Sequence, residues 1–394
     1  MTMQDVVFIQ GLRTAIGGFG GALAQQRPTD LAAAVVRELI NQTGCDPQRV
    51  GQAVFGNVLH SENADMYLSR VAALNGGLPH STTALTLNRL CGSGLQAIVT
   101  GAQQIQLGIA DAVVAGGAES MSRTPYHLPS ARFGQRMGDA QMTDPMTGVL
   151  TCPFNLYHMG VTAENVAEHF NVSREDQDAL AVSSHQRAQR ALEEGRFESQ
   201  IVSIEVGKRG KSELFSRDEH VRVDCQLEQL SKMRPVFKQD GSVTAGNASG
   251  INDAAAAVLM TSAAEAERQG LTPMARLVDY HLVGVDPQIM GIGPVPAIRE
   301  LLERHQLSVD DIDLFEVNEA FAAQALAVQR ELNLPNERLN PNGSGISLGH
   351  PIGATGSIIM VKALHELQRS GGRYAVVALC IGGGQGIATL IERC

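Results

Sequence analysis

Asn88-Arg-Leu-Cys91-Gly-Ser-Gly94 opens a glycine-rich helix start that leads to Asp111-Ala-Val-Val-Ala-Gly-Gly117. The same order returns at Gly353-Ala354-Thr355-Gly356 and Tyr374-Ala-Val-Val-Ala-Leu379. Gly92 stands 20 residues before Ala112, and Gly353 stands 22 before Ala375. Self-similarity at matched spacing marks an internal duplication. Working outward, Val6-Val7-Phe8-Ile9 starts a strand, and the apolar spacing of Asp30 to Asn41 predicts a helix that Asp30 can cap. Ala53-Val54-Phe55 resumes strand character, Pro296 to His305 reads as a helix, and Asp313 to Val317 as a strand. Short β-branched runs alternating with helical patterns are the sequence form of sheets covered by helices. The fold class is therefore α/β, with two similar halves packed together.

Between the halves, residues 122–250 are less periodic, with proline and polar turns and a helical pair at Ala163–Phe170 and Arg174–Glu194. Long insertions in compact folds are usually functional lids or binding loops, so this stretch reads as a loop domain covering a site.

Composition narrows the function. A chain of 394 residues exceeds the roughly 250–300 that one hydrophobic core organises, so two or three packed units are expected. With 44% hydrophobic residues, 41 glycines and only 4% aromatics, the core is aliphatic and its backbones approach closely. A net charge of −10 excludes a general coat for nucleic acid, which needs a basic face. The N-terminal MTMQDVVFIQG lacks the pattern of a secretory signal, and no apolar run approaches the roughly 20 residues of a membrane span. A cytoplasmic protein without membrane attachment is expected. The six cysteines form no CxxC pair and no His/Cys cluster at zinc-finger spacing, which argues against disulfides and a structural metal. Cys45, Cys152 and Cys225 read as buried, inert thiols.

Four segments carry the chemistry: Asn88–Gly94, Asn318-Glu-Ala-Phe321, Gly349-His350-Pro-Ile-Gly353 and Cys380-Ile-Gly-Gly-Gly-Gln-Gly386. Cys91 sits at a Gly-Ser-Gly helix start, where unpaired backbone N–H groups and the helix dipole favour a thiolate. His350, in a turn between Gly349 and Pro351, is able to accept a proton from that thiol if the fold brings them together. Cys380 follows an apolar strand and precedes three glycines, a place for strand-end catalysis and backbone oxyanion donors. A nucleophile with a separate acid/base is the reading these three residues support.

Together these segments resemble the thiolases, coenzyme A acetyltransferases of the β-ketothiolase type. The likeness runs from the N-terminal strand to Ile391-Glu392-Arg393 and includes Tyr157-His-Met-Gly160 and Gly246-Asn-Ala-Ser-Gly250. It implies the thiolase fold: two duplicated α/β halves stacked as αβαβα layers, each with a mixed five-stranded sheet, plus the inserted loop domain. It places the first half at 1–121 with 251–272, the loop domain at 122–250, and the second half at 273–394. By the same resemblance Cys91 matches the acylated nucleophile, His350 its base, and Cys380 the acid/base at the substrate α-carbon or leaving thiol. Asn318 matches the residue that holds a water polarising the thioester oxygen with His350, and the N–H groups of Cys91 and Gly382 match a second oxyanion hole. His158, Met159, Arg222, Phe237, Ala245, Ser249, Met290 and Phe321 match positions around the substrate and coenzyme A. The resemblance further implies acetyl-CoA and 3-ketoacyl-CoA as substrates, no permanently bound cofactor or metal, and a homotetramer built as a dimer of dimers.

Several readings stay open at the level of sequence. Many acetoacetyl-CoA thiolases read NGGAIALGHP where this chain has Asn342-Gly-Ser344-Gly-Ile-Ser347-Leu-Gly-His350-Pro. That variation, with Asp65-Met-Tyr-Leu-Ser-Arg70, is more similar to broad-range bacterial β-ketothiolases. Met159 and Met290 either adapt to longer acyl chains or simply pack the core. The densest basic cluster, Lys208-Arg209-Gly210-Lys211, is either an exposed hairpin turn or a capture point for nucleotide phosphates. The alternatives in function are a 3-ketoacyl synthase-like condensing enzyme, a hydrolase using Cys91 and His350, and a non-catalytic lipid-carrier relative. The first would need histidines in place of the Asn318 and Cys380 arrangement, and the last should have lost one of the three reactive residues.

Overall fold

The computed structural model describes residues 3–208 and 211–394, and the side chains of 208–211 are outside it. The basic cluster at 208–211 therefore lies outside the described residues, apart from the backbone of the hairpin that pairs Ile204–Lys208 with Lys211–Phe215.

In chain order the main strands are β1 (Val6–Thr14), β2 (Val50–Gly56), β3 (Thr83–Leu87), β4 (Ala112–Ser120) and β5 (Asn252–Ser262) in the first half. The second half supplies β6 (Ala275–Gly284), β7 (Leu314–Val317), β8 (Tyr374–Ile381) and β9 (Gln385–Arg393). The first half pairs in the order β3-β2-β4-β5-β1, and the second as β7-β8-β9-β6. Leu339 bridges Phe315 in parallel on the outer side of β7, where β3 stands in the first half. The two halves thus repeat one topology, with the fifth strand of the second sheet reduced to a single bridge. Pro335 and Pro341 flank Leu339 and have no N–H to extend a ladder. The sheets meet where β1 pairs β6 through Val7–Arg276 and Phe8–Ala275.

Period-two alternation sorts the strand residues into layers. From β4, Val113 and Ala115 point into a central core, while Ala112, Val114 and Ala118 point outward. From β8, Ala375, Val377 and Leu379 point to the same central core and Val376 and Ala378 to the other outside. The first outer layer is α1 (Pro28–Thr43) and α2 (Leu68–Asn75); the middle layer holds α3 (Ser93–Gln106). On the insertion side come α4 (Met159–His169) and α5 (Arg174–Glu193). The last outer layer is α6 (Pro294–Arg304) and α7 (Ala322–Leu332), and α8 (Thr355–Ser370) joins α3 in the middle. This is the αβαβα stack. Middle-layer α8 is buried almost all round, as a helix with apolar residues on every face must be.

Glycines let the two central helices touch. A Cβ on Gly94 would stand 2.7 Å from the Ser357 backbone N, and one on Gly356 2.3 Å from the Leu95 backbone N. The duplicated glycines of the sequence are therefore packing residues at one shared contact. The insertion is tied to β1 by a wholly buried ion pair, Arg13 to Asp218 at 2.7 Å.

One local expectation is corrected. Helix α1 begins at Pro28, with Arg27 as its N-cap residue and no side-chain cap. Proline is pre-organised for the first helical position, which starts the helix two residues early and puts Asp30 in its first turn. There Asp30 accepts from Arg27 Nε at 2.7 Å. Among the described residues no helix is long and apolar enough to cross a membrane.

Candidate active site

The turn before α3 is held in one shape. Leu90 has a left-handed backbone, φ +47°, which an ordinary side chain adopts only when its surroundings enforce it. They do so here: Leu90 N donates to Asn88 Oδ1 at 2.8 Å, and Ser93 Oγ donates to Leu90 O at 2.6 Å. Ser93 Oγ also accepts from Arg89 N at 2.8 Å. Cys91 follows at the lip of the helix. Burial pushes its thiol above the ordinary cysteine range, and the opposing pull of the N–H groups of Gly382 and Cys91 is smaller. The helix start does not by itself make a thiolate.

His350 is held with one ring nitrogen free. Its N–H donates to Asn252 Oδ1 at 3.0 Å, and its Nδ1 lies 2.7 Å from Thr355 Oγ1. That hydroxyl donates to Pro351 O at 2.9 Å, so it accepts from the ring. Nδ1 then carries the ring proton and Nε2 keeps its lone pair. Nε2 has no protein partner among the described residues. Burial pushes the imidazole down to about 4, so it is neutral and ready to accept a proton near neutral pH.

Cys380 lies inside β8 rather than after it, because the strand runs on through Ile381. Burial, reinforced by the neighbouring Cys91, pushes its thiol far above the ordinary range. Asn318 follows β7 and is wholly buried; its N–H donates to Ala378 O at 3.0 Å. Neither its Oδ1 nor its Nδ2 has a protein partner among the described residues. A buried amide with both ends unused is costly unless something else binds there.

Cys91, His350 and Cys380 meet at one place. Cys91, His350, Cys380 and Gly382 line an inner chamber of about 50 Å³, together with Met159 and Met290. An outer cavity of about 230 Å³ continues from it, lined by His158, Phe237 and Ala245, and both share Ser249, Phe321 and His350. The His158 ring stacks on Phe237 at 4.6 Å, and Phe237 meets Phe321 edge-on at 6.4 Å. His158 Nδ1 accepts from Gly160 N at 3.0 Å, which caps α4 and leaves Nε2 to carry the proton. Asn318 and Arg222 line neither cavity, but Arg222 donates to the carbonyl of Ala245 at 3.1 Å and so braces the outer wall. Cys45, Cys152 and Cys225 are buried, as the sequence reading expected, and line neither cavity, though Cys152 packs behind Met159 and Cys380.

Sequence reasoning passed over Thr355, which holds the His350 ring, Asn252, which holds its backbone N–H, and Glu119, which holds Gly353 three residues on. The one available signal was Glu119, a lone carboxylate in the apolar strand Ala112-Val-Val-Ala-Gly-Gly-Ala-Glu119.

Comparison with known proteins closes the point. The family described as "Thiolase, N-terminal domain" matches residues 6–264, and "Thiolase, C-terminal domain" matches 271–393. The chain belongs to the thiolase family. This thiolase is 58% identical over 392 residues to beta-ketothiolase BktB of Cupriavidus necator, covering 99% of each chain. It is 49% identical to an acetyl-CoA acetyltransferase of Pseudomonas aeruginosa, covering 99% of this chain and 100% of the relative. The thiolase fold agrees with the Bacillus anthracis acetyl-CoA acetyltransferase at a TM-score of 0.97 and 46% identity, over 100% of both chains. It agrees with human mitochondrial 3-ketoacyl-CoA thiolase in complex with CoA at 0.96 and 45%, over 100% of this chain and 99% of that one.

Proposed function

We propose that this thiolase joins an acyl-CoA to acetyl-CoA, and in reverse cleaves 3-ketoacyl-CoA with coenzyme A, through an acyl group carried on Cys91. The observation that carries the reading is the single small chamber lined by Cys91, His350, Cys380 and Gly382. Two thiols and an imidazole converge there, in a space otherwise lined mostly by apolar side chains.

The protonation states suit the chemistry. In the condensation direction His350 Nε2 takes the Cys91 proton as the sulfur attacks the thioester carbonyl. Cys380 gives its proton to the departing coenzyme A sulfur and is left as a thiolate. A desolvated thiolate is a strong base, and it takes an α-proton from acetyl-CoA. Thioester sulfur donates little resonance to its carbonyl, which makes that proton acidic. The carbanion attacks acyl-Cys91, Cys91 leaves as a thiolate, and His350 returns its proton. Every proton is restored and one coenzyme A is released. Asn318, with its two unused amide atoms, is the partner for a water at the enolate oxygen, and the N–H groups of Cys91 and Gly382 face the acyl oxyanion.

The outer cavity takes the pantetheine arm between His158, Phe237, Ala245, Ser249 and Phe321, with Arg222 toward the nucleotide end. Coenzyme A and acyl-CoA come and go as substrates, and no permanently bound cofactor or metal is needed for any step above. The domain division of 1–121 with 251–272, 122–250 and 273–394 accounts for a lid over a duplicated body. A homotetramer is supported by the exposed apolar side chains of Tyr126, Phe133, Met137 and Met142, which stand out from the protomer in one segment. A cytoplasmic location fits the acyl-CoA substrates.

The deciding experiment incubates the protein with acetyl-CoA, maps the acetyl group by mass spectrometry, and compares thiolysis of acetoacetyl-CoA with that of 3-ketovaleryl-CoA. An acetyl group on Cys91 and comparable rates on both substrates support a broad-range enzyme; acetylation elsewhere overturns the assignment.

A further inference from the structure

Glu119 ends the apolar run of β4 and is wholly buried. Its carboxylate accepts four N–H bonds. Oε1 takes Asn57 Nδ2 at 3.0 Å and Leu59 N at 3.1 Å, and Oε2 takes Val58 N at 3.2 Å and Gly353 N at 2.9 Å. Three donors belong to the turn after β2 in the first half. The fourth belongs to the second half, three residues beyond His350.

The Gly353 peptide is gripped from two sides by the same strand. A Cβ on Gly353 would stand 2.5 Å from Glu119 Oε2, and one on Gly117 would stand 2.0 Å from Gly353 O. The segment from His350 to Thr355 is itself closed by Thr355 Oγ1 and Ala354 N, both donating to Pro351 O, and by the ring contact to Thr355. Moving Gly353 therefore moves the imidazole. Glu119 also lies close enough to Cys91 for its charge to oppose ionisation of that thiol.

We propose that Glu119 is a positioning residue for the acyl-transfer step: it fixes the His350 segment of one half against the Cys91 half and sets a negative charge beside the nucleophile. This rests on the roles given above to Cys91 and His350. The titratable groups facing Cys91 are then Glu119 from β4, His350 from its turn and Cys380 from β8, and Asp65 faces Glu119. Burial pushes the Glu119 carboxyl up to about 8 even with the N–H groups of Leu59, Val58 and Gly353 opposing it, so the charge is present above that pH, in the range where the Cys91 thiol, itself raised, would ionise. A charge held there discourages idle ionisation of Cys91 and leaves the thiol to be activated by His350.

Glu119→Gln removes the charge and turns an amide NH₂ toward donors. The expected result is a kcat lower by about 10²-fold, since misplacing a catalytic group by an ångström costs that much. KM for acetyl-CoA should be unchanged, because Glu119 lines neither cavity. Alkylation of Cys91 by iodoacetamide, followed against pH, should move to lower pH. A Glu119→Gln enzyme with wild-type kcat, or with a loss carried by KM and no movement of the alkylation profile, overturns the proposal. If that variant does not fold, Gly353→Ala breaks the same contact while keeping the charge: kcat should fall with the alkylation profile in place, and a wild-type kcat overturns the proposal equally. Acetyl-enzyme formation by Cys91→Ala separates the two readings, since it would remove the Cys91 assignment itself whatever Glu119 does.

Discussion

Thr355 Oγ1 takes the Nδ1 proton of His350 at 2.7 Å while giving its own proton to Pro351 O at 2.9 Å. One hydroxyl thus fixes which nitrogen of the imidazole is basic. Thr355→Val keeps the shape and loses the acceptor, so both tautomers become available. The expected loss in kcat is roughly 10–10²-fold, the usual effect of removing a partner that orients a functional histidine, and Thr355→Ser should restore most of it. Steady-state kinetics of the two variants checks this.

Buried His350 is neutral in the fold down to about pH 4, against an ordinary value of 6.5. As pH falls through 6.5 the unfolded chain takes up a proton at this site and the folded chain does not. The site's contribution to stability is therefore complete above 6.5 and drains away toward pH 4, with a slope of at most about 1.4 kcal/mol per pH unit. Urea denaturation of wild type and His350→Asn across that window should show the wild type losing ground. Parallel curves would mean an ordinary, exposed histidine.

Removing the Cys380 thiol should separate the two halves of the reaction. In Cys380→Ser the hydroxyl can still give a proton to the departing coenzyme A, so Cys91 is acetylated, though more slowly, but the α-proton of acetyl-CoA is no longer removed. Condensation should fall by about 10²–10⁴-fold, the range for loss of a positioned acid/base. Exchange of the acetyl-CoA methyl protons in D₂O, followed by NMR, should vanish while mass spectrometry still finds acetyl-Cys91. Retained exchange would assign the proton to another base.

Asn318→Ala removes the amide whose two ends have no partner among the described residues. Condensation should slow by about 10²–10³-fold, as for loss of an oxyanion donor, with less effect on acetylation of Cys91. The ratio of the two rates in one preparation is the measurement.

Gly160 lies under the outer wall: a Cβ there would stand 2.2 Å from the Phe237 ring. Gly160→Ala should push Phe237 from its stack on His158 and cost about 1–3 kcal/mol of stability as overpacking. KM for coenzyme A should rise while Cys91 acetylation by a small thioester is preserved. Unchanged KM would mean that the stack plays no part in binding.

Residues that announce themselves by local chemistry were legible in the sequence. Cys91 sits in a Gly-Ser-Gly context, His350 beside a proline, and Cys380 before three glycines. The matched pace of the two halves gave away the duplication because spacing survives in sequence. The cap of α1 misled because Asp30 is a common cap residue and the proline two positions earlier decided the start. Thr355, Asn252 and Glu119 were hidden for a different reason. Each works by holding something else, at sequence separations of 5, 98 and 234 residues from the group it bonds. Thr355 lies in the same turn as His350, but no motif marks its role; Asn252 and Glu119 reach their partners only when the two halves pack together, and no short pattern encodes that contact.

The reactive chamber draws Cys91 from one half and Cys380 from the end of the other, and this has a consequence during synthesis. While the chain is growing on the ribosome, Cys91 emerges long before β8 exists. Until residues 374–382 have been added and docked, the nascent polypeptide holds Cys91 and His350 but lacks the second thiol, Cys380, and the N–H of Gly382 that complete the chamber. The complete set of groups around Cys91 is therefore assembled only when the last strands have been made.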